Sequence, residues 1–206
     1  MKSLQYTLRH LLGIILFIYS SASMADNAGA IAVVEKLHAA LISAMQNADK
    51  LGFQGRYDAL APVIESSFDT PLIVEVILSH YWKELNEGQQ KKFIAMFNRL
   101  SISTYASRFD AYSGETFKTL GVEELKKGRL LIKTELDKKD DEPIKLDYMV
   151  HQNEGKWYII SVIANGVNDV ALKRAEYATI INDRGFDNLV NEIETKIKDL
   201  STTPGT

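Results

Sequence analysis

The feature that most constrains the fold is a change in the spacing of apolar residues at Ser113-Gly114. Before this point, apolar residues recur every three or four positions, as they do on one face of an α-helix. After Glu115, they alternate with polar residues, which is the period of a β-strand. Glycine accommodates the backbone conformations that so sharp a change of direction requires. The chain is therefore predicted to form helices first and strands second.

Four helical segments are predicted before the change in spacing. Segments 28–48 and 51–69 carry apolar residues at helical spacing. Asp69-Thr70-Pro71 has the pattern of a helix cap followed by a first-turn proline, and it opens an apolar run that we interpret as a buried helix through Trp82. The longest helix is predicted for residues 87–112. One row along it consists of Ile94, Phe97, Ser101, Tyr105, Phe109 and Tyr112.

About four antiparallel strands and then two helices are predicted after the change in spacing. This order of elements indicates an α+β fold with N-terminal helices, a curved antiparallel sheet and two C-terminal helices. The two helices are predicted for residues 168–183 and 186–200. The strands are predicted for residues 117–122, 130–136, 144–151 and 156–166.

The last predicted strand is apolar on both faces. The two strands before it each have a mostly polar face, and an antiparallel sheet commonly leaves one face in water. The last strand is therefore predicted to be covered on both sides. Strict alternation places Trp157, Ile159 and Ile163 on one face, and Tyr158, Ile160 and Val162 on the other.

Residues 1–25 have the layout of a secretory signal peptide. Lys2 and Arg9 precede the apolar run at 11–19, and Ser23 and Ala25 supply a small-x-small cleavage site. The run is shorter than the roughly 20 residues that a membrane-spanning helix needs, so cleavage after Ala25 is expected rather than a retained anchor. The mature chain is predicted to be a single domain at 26–200 with a disordered tail at 201–206.

Composition excludes several classes of function. The chain contains no cysteine, which excludes thiol catalysis, thiolate metal sites and disulfides. Its 27 acidic residues outnumber its 24 basic ones, and loss of the signal peptide would remove two of the latter. A mildly acidic protein has no electrostatic reason to bind nucleic acid. We therefore expect an exported protein without a nucleic-acid partner.

No strong catalytic or metal-binding motif is present, so no catalytic residue, metal or cofactor is predicted. Asp147 and His151 are the best candidates for an acid–base pair, because both fall on one face of a strand. Four residues along a strand span about 13 Å, which is far beyond hydrogen-bond reach. The acidic run at 137–142 fits no EF-hand and is interpreted as a solvated turn.

Three stretches together resemble the MlaC-like, toluene-tolerance auxiliary proteins, which are periplasmic lipid carriers. They are LSHYWKELNEGQQKKFIAMFNRLSISTYASRFDAYSGETF at 78–117, KLDYMVHQNEGKWYIISVIANGV at 145–167 and RGFDNLVNEIETKI at 184–197. Within the family, segments 51–69 and 169–177 are more similar to the HpnM branch, which is associated with hopanoid gene clusters. The chain departs from the family at Ser161, where an acidic residue is common, and at Asn168-Asp169, where Ser-Leu is common.

The resemblance implies a monomeric periplasmic carrier with an apolar cavity between the sheet and the helices. Its ligand would be a phospholipid or a hopanoid-like lipid. It would pass this lipid between an inner-membrane ABC transporter complex containing an MCE-domain protein and an outer-membrane lipoprotein complex. Two alternatives stay open: a ligand-free accessory subunit of a transporter, and a small α+β enzyme using Asp147 or Asp110.

Candidate lipid-binding residues are taken from the aromatic row, the sheet and the flanking helices. A packed core and the wall of an apolar cavity use the same kinds of side chain, so composition does not distinguish them. The candidates are Val76, Phe97, Tyr105, Phe109, Tyr112, Phe117, Leu146, Tyr148, Val150, Trp157, Ile159 and Val167.

Overall fold

The computed structural model describes residues 27–139 and 141–202. The predicted signal peptide and the last four residues of the predicted tail lie outside this range. The helices are α1 (Asn27–Gln46), α2 (Ala48–Ser67), α3 (Thr70–Leu78), the 3₁₀-helix η1 (Ser79–Glu84), α4 (Glu87–Arg108), α5 (Asp169–Arg184) and α6 (Phe186–Thr202). The strands are β1 (Thr116–Leu125), β2 (Arg129–Asp137), β3 (Ile144–Asn153), β4 (Lys156–Ala164) and β5 (Val167–Asn168).

The five strands form one antiparallel sheet in sequential order. The four predicted strands are all present, and β5 adds a pair of residues at the edge beside β4. The predicted α+β order of helices, meander and helices is confirmed. Helix α6 continues through Ser201 and Thr202, two residues beyond the predicted end of the domain.

The segment that joins helices to sheet differs from the prediction in one respect. Helix α4 ends at Arg108, with Phe109 as its C-cap, so Tyr112 lies outside the helix and its side chain is 41% exposed. Gly114 then has φ +100°, which is the left-handed region that favours glycine. The change of direction therefore occurs where the sequence places it, but the helix stops four residues early.

The predicted helix through Trp82 is divided into α3 and η1. Asp69 caps α3 by accepting a hydrogen bond from the Leu72 amide, and Pro71 occupies the first turn, as predicted. Ser79 has φ 56° and ψ −120°, which interrupts the α-helical hydrogen bonding. The chain continues as the 3₁₀-helix η1, so Tyr81 and Trp82 lie beyond α3.

Two hydrophobic clusters lie on opposite faces of the sheet. The sheet core is the cluster in which α1, α2 and part of α4 pack on Ile132, Tyr148, Val150 and Ile159. The helix core is the cluster formed by α3, α4, α5 and α6 together with Ile160 of β4. Neighbouring residues of β4 thus enter different cores, and the predicted covering of both faces is confirmed.

A β-bulge corrects the predicted alternation along β4. The register shifts so that Val150 pairs with Ile159 while Tyr148 pairs with Val162. Two residues of β4, at 160 and 161, therefore lie between the partners of Tyr148 and Val150, where regular pairing has one. Val162 consequently packs against the sheet core together with Trp157, rather than on the opposite face.

Helix α1 is the one helix in the described part of the chain that is long and apolar enough to cross a membrane, with a mean hydropathy of 1.4. One of its faces is fully buried, through Ala30, Val34, Leu37 and Leu41. These residues recur every three or four positions and pack in the sheet core. The helix therefore has the burial pattern of an amphipathic core helix.

His38 of α1 is an unusual member of the sheet core. Its ring stacks on Phe117 with centroids 3.8 Å apart and meets Tyr148 edge-on at 5.2 Å. The Nε2 atom has no hydrogen-bond partner among the described residues. Burial lowers the pKa of His38 from 6.5 to about 4, because protonation would place a charge in an apolar environment.

We predict that His38 makes stability depend on pH. The pKa of His38 is lower in the folded chain than in the unfolded chain, where it is 6.5. The stability that the neutral His38 contributes is therefore complete above pH 6.5 and is lost as the pH falls towards about 4. The free energy of unfolding should fall by about 3 kcal/mol more in the native chain than in His38→Phe over this window. Urea unfolding at both ends of the window measures the difference. His80→Phe, at an exposed position, should behave like the native chain; equal curves for all three would contradict the prediction.

Candidate functional site

An open cleft of about 470 Å³ lies between α3, α5 and the helix-core face of the sheet. Its volume is within the range of roughly 300–1,000 Å³ that small-molecule sites occupy. The side chains around it are mainly aliphatic. They are Leu72, Ile73, Val76, Arg129, Met149, Ile160, Ser161, Asn168, Val170, Ala171, Arg174, Ala175 and Ala178.

Small side chains on α5 keep the cleft open. Ala171, Ala175 and Ala178 recur at steps of four and three, so they form one row along the helix, and all three line the cleft. The opposite wall carries the larger side chains Leu72 and Val76 of α3. The methyl group of an alanine is too short to fill the space between α5 and these side chains of α3. The cleft therefore results from an apolar but small-sided face of α5.

Asp169 attaches the beginning of α5 to β4. Its Oδ1 accepts hydrogen bonds from the Ser161 hydroxyl at 2.9 Å, the Val162 amide at 2.9 Å and the Val170 amide at 2.8 Å. The two departures from the family pattern thus contact each other, because Ser161 stands where an acidic residue is common and Asp169 brings a carboxylate from the helix. The Asp169 carboxylate therefore holds the start of α5 against β4.

Asp69 attaches the beginning of α3 to the sheet. Its Oδ2 lies 2.8 Å from Nε2 of His151 on β3, and its backbone amide donates to the Ile159 carbonyl at 3.1 Å. The side chains of Asp69 and His151 are both mostly buried, at 11% and 18% exposure. His151 is thus paired with Asp69 rather than with Asp147, whose Oδ1 accepts a hydrogen bond from the Thr134 amide at 3.2 Å.

Two arginines and no acidic residue line the cleft among the residues that the structure describes. Arg174 of α5 donates from Nη2 to the Ser79 hydroxyl at 3.1 Å, which joins α5 to the end of α3. Arg129, at the start of β2, is partly buried and has neither an ion pair nor a hydrogen bond from its guanidinium within residues 27–139 and 141–202. The cleft is therefore apolar inside and positively charged at two points.

Most of the candidate lipid-binding residues lie in the sheet core, on the other face of the sheet. Val76 lines the cleft, whereas Phe97 is buried in the helix core. Tyr112 and Val167 are exposed, at 41% and 56%. The remaining candidates belong to the sheet core or pack against it: Tyr105, Phe109, Phe117, Leu146, Tyr148, Val150, Trp157 and Ile159.

The aromatic row is closely packed within the sheet core. Tyr105 stacks on Phe109 with centroids 5.8 Å apart, and Phe109 meets Phe117 at 6.5 Å. Burial raises the pKa of the Tyr148 phenol, which stays neutral in this environment. A role of these residues in ligand binding stays a prediction.

The residues that line the cleft were not predicted from the sequence, apart from Val76. One signal of the cleft was present in the sequence, the alanines at helical spacing in DVALKRAEYATI.

A second depression of about 550 Å³ lies between α2, α4 and α6. Its lining includes Arg99 and Glu194, whose side chains form a two-point ion pair with both distances 3.0 Å. Charged side chains that are already paired with each other leave an apolar ligand little surface. The cleft between α3 and α5 is therefore the stronger candidate for an apolar ligand.

Comparison with known proteins gives a family and a fold. The sequence model of the MlaC protein family matches residues 35–195. A phospholipid-binding protein from Ralstonia solanacearum, solved in complex with a phospholipid, is similar in structure with a TM-score of 0.73. The two chains are 18% identical, and the similarity covers 85% of this chain and 98% of the other. At that identity the structural match shows a shared fold.

We predict that the Asp69–His151 pair holds α3 against the sheet. In a double-mutant cycle with Asp69→Asn, which can still cap the helix, and His151→Gln, the coupling energy should be about 1–2 kcal/mol because both groups are largely removed from water. Urea unfolding of the four proteins gives this value. The exposed Arg99–Glu194 pair serves as the control and should give about 0.5 kcal/mol. A coupling no larger than the control would show that the pair does not hold α3.

Proposed function

This chain belongs to the MlaC family, and from that membership we propose that it is a non-catalytic lipid carrier whose ligand is a phospholipid. The observation that carries the proposal is the cleft between α3 and α5, with its mainly aliphatic lining. The phospholipid bound to the Ralstonia protein, which shares the fold, is consistent with this ligand class. We further propose that the chain belongs to the HpnM branch of this family, because segments 51–69 and 169–177 resemble that branch.

The energetics of a lipid in water explain why such a carrier needs a cleft. Removing each CH₂ group from water contributes roughly 0.8 kcal/mol, so one chain of about 16 carbons is held by on the order of 10 kcal/mol. Aliphatic walls such as Leu72, Val76 and Ile160 provide a surface of this kind. The same energy makes spontaneous release slow, so release is proposed to require a partner or a movement of α3 or α5.

The proposed setting is the periplasm, where proteins of this family act. The predicted signal peptide at 1–25 would direct export, and the chain would work as a monomer. It would exchange lipid with an inner-membrane ABC transporter complex that includes an MCE-domain protein, and with an outer-membrane lipoprotein complex. These partners are proposed from the family resemblance.

The positions of the acidic groups favour a carrier over an enzyme. An enzyme that used the cleft would need a carboxylate or a histidine beside its ligand. Asp147 is hydrogen-bonded to the Thr134 amide on β2, and His151 is hydrogen-bonded to Asp69. Neither these residues nor Asp110, the other candidate, are among the residues that line the cleft.

Native mass spectrometry of protein purified from periplasm without detergent tests the proposed function. Extraction and identification of the bound lipid then distinguish a phospholipid from a hopanoid-like lipid. One lipid per chain supports the carrier. Protein that carries no lipid, and takes none from phospholipid vesicles, would overturn the proposal in favour of a ligand-free accessory subunit.

We predict that filling the cleft weakens lipid binding without unfolding the chain. Ala175→Trp places an indole where the alanine row leaves space, and it should lower the bound lipid several-fold. The free energy of unfolding should stay within about 1 kcal/mol, since the position is solvent-accessible. Lipid extraction and urea unfolding measure the two effects. Thr179→Trp, exposed on the same helix and outside the cleft lining, should bind lipid normally; equal binding by both variants would place the lipid elsewhere.

A further inference from the structure

We propose that Arg129 and Arg174 form a binding site for the phosphate group of a lipid at the edge of the apolar cleft. The inference rests on the proposed function, because it assumes that the cleft holds the lipid tails. It proposes that the protein recognises the phosphate group of the lipid as well as its tails. This gives a physical reason for a phospholipid to be preferred over a lipid without negative charge.

The two guanidinium groups reach one cleft from different elements. Arg129 begins β2, two residues before Leu131, and Leu131 pairs with Met149, which also lines the cleft. Arg174 lies on α5, one turn after Ala171 of the alanine row. A ligand between α3 and α5 would therefore have a positive group on the strand side and another on the helix side.

Neither arginine is neutralised by a carboxylate in the described part of the chain. Arg99 and Arg184 are different, since they pair with Glu194 and Glu192. Arg174 donates to the Ser79 hydroxyl, a neutral acceptor, and its other guanidinium donors have no protein partner among the described residues. In a chain with a formal net charge of −3, two unpaired cations in one cleft create a local preference for an anion.

The chemistry of arginine matches a phosphate ester. The guanidinium is planar and always charged, and its donors fit two phosphate oxygens at once. Its aliphatic stem can lie along apolar surface while the charged end reaches water, which suits the edge of a cleft. An uncharged lipid offers neither the charge nor the paired oxygens, so it would leave both arginines without an anionic partner.

Free phosphate has the same chemistry as a lipid headgroup, but the lining favours the lipid. Residues such as Ile160, Met149 and Val170 line the same cleft and contribute nothing to the binding of a small anion. A molecule that joins a phosphate to hydrocarbon chains contacts both kinds of surface. We therefore assign the site to a phosphate carried by a lipid.

Competitive uptake from vesicles tests the assignment. Lipid-free protein is incubated with phosphatidylcholine vesicles that contain phosphatidylglycerol and diacylglycerol with the same tails, and the bound lipids are quantified by mass spectrometry. The native chain should take up phospholipid in preference to diacylglycerol. Arg129→Gln and Arg174→Gln should each lower the ratio of bound phospholipid to diacylglycerol by about ten-fold, the usual effect of losing one charged hydrogen bond.

Two further variants separate the loss of the site from other effects. Lys126→Gln removes the same charge from the exposed turn before β2 and does not line the cleft, so its uptake ratio should equal that of the native chain. Arg129→Lys keeps the charge but not the planar pair of donors, and should give an intermediate ratio. Circular dichroism shows that each variant is folded before uptake is measured.

The possible results distinguish this inference from the proposed function. Uptake of no lipid of any class would overturn the carrier itself. Uptake with equal preference for diacylglycerol, or a preference unchanged in both arginine variants, would overturn the arginine site while the carrier stands. Titration with inorganic phosphate alone tests whether the site binds free phosphate instead. If phosphate binding depends on Arg129 but lipid uptake does not, the assignment to a lipid headgroup is overturned.

Discussion

Strand β4 directs apolar side chains to both faces of the sheet, and the arrangement of the helices depends on this. Ile159 and Ile160 are both buried, yet they belong to different cores. Apolar surface left in water costs roughly 25 cal/mol per Å², so each side of the strand requires a cover of its own. Helices α1 and α2 provide one cover, and α3 and α5 provide the other. The cleft lies on the side that α3 and α5 cover, where these two helices and the sheet do not pack completely against one another.

The far end of the sheet shows why the second cover is confined to β4 and its neighbours. On β1 and β2, side chains outside the sheet core form ion pairs, such as Lys133 with Glu123 at 2.6 Å and Lys118 with Glu135 at 3.8 Å. Such a face is stable in water without a helix over it. The helix core consequently covers one part of the sheet, and Arg129 lies on the boundary between the covered and the solvated parts.

Both walls of the cleft are attached to the sheet at their first residues. Asp69 connects α3 to β3 and β4, and Asp169 connects α5 to β4. Near the other end of α3, the Ser79 hydroxyl accepts a hydrogen bond from Arg174, and the Tyr81 hydroxyl of η1 donates one to Asn182 of α5. The hydrogen bond between Arg174 and Ser79 links the two walls of the cleft directly. If Arg174 binds the phosphate of a lipid, ligand uptake and this link between the walls involve the same side chain.

The elements could be predicted from the sequence because their signals are local, whereas the cleft between α3 and α5 could not, because a cleft depends on the relative volumes of the side chains that face each other. Helical spacing, the Asp69-Thr70-Pro71 cap and alternation along the strands each depend on neighbouring residues. The bulge in β4 arises from pairing with β3, so strict alternation placed Val162 on the wrong face. Whether an apolar side chain fills a core or lines a cleft depends on the size of what faces it. In the sheet core, against which the aromatic row packs, α1 contributes large side chains, among them Leu37 and Leu41. Facing α3, α5 contributes the alanine row. An open apolar cleft is therefore indicated in a sequence where apolar residues at helical spacing coincide with small side chains, as in the alanine row of α5.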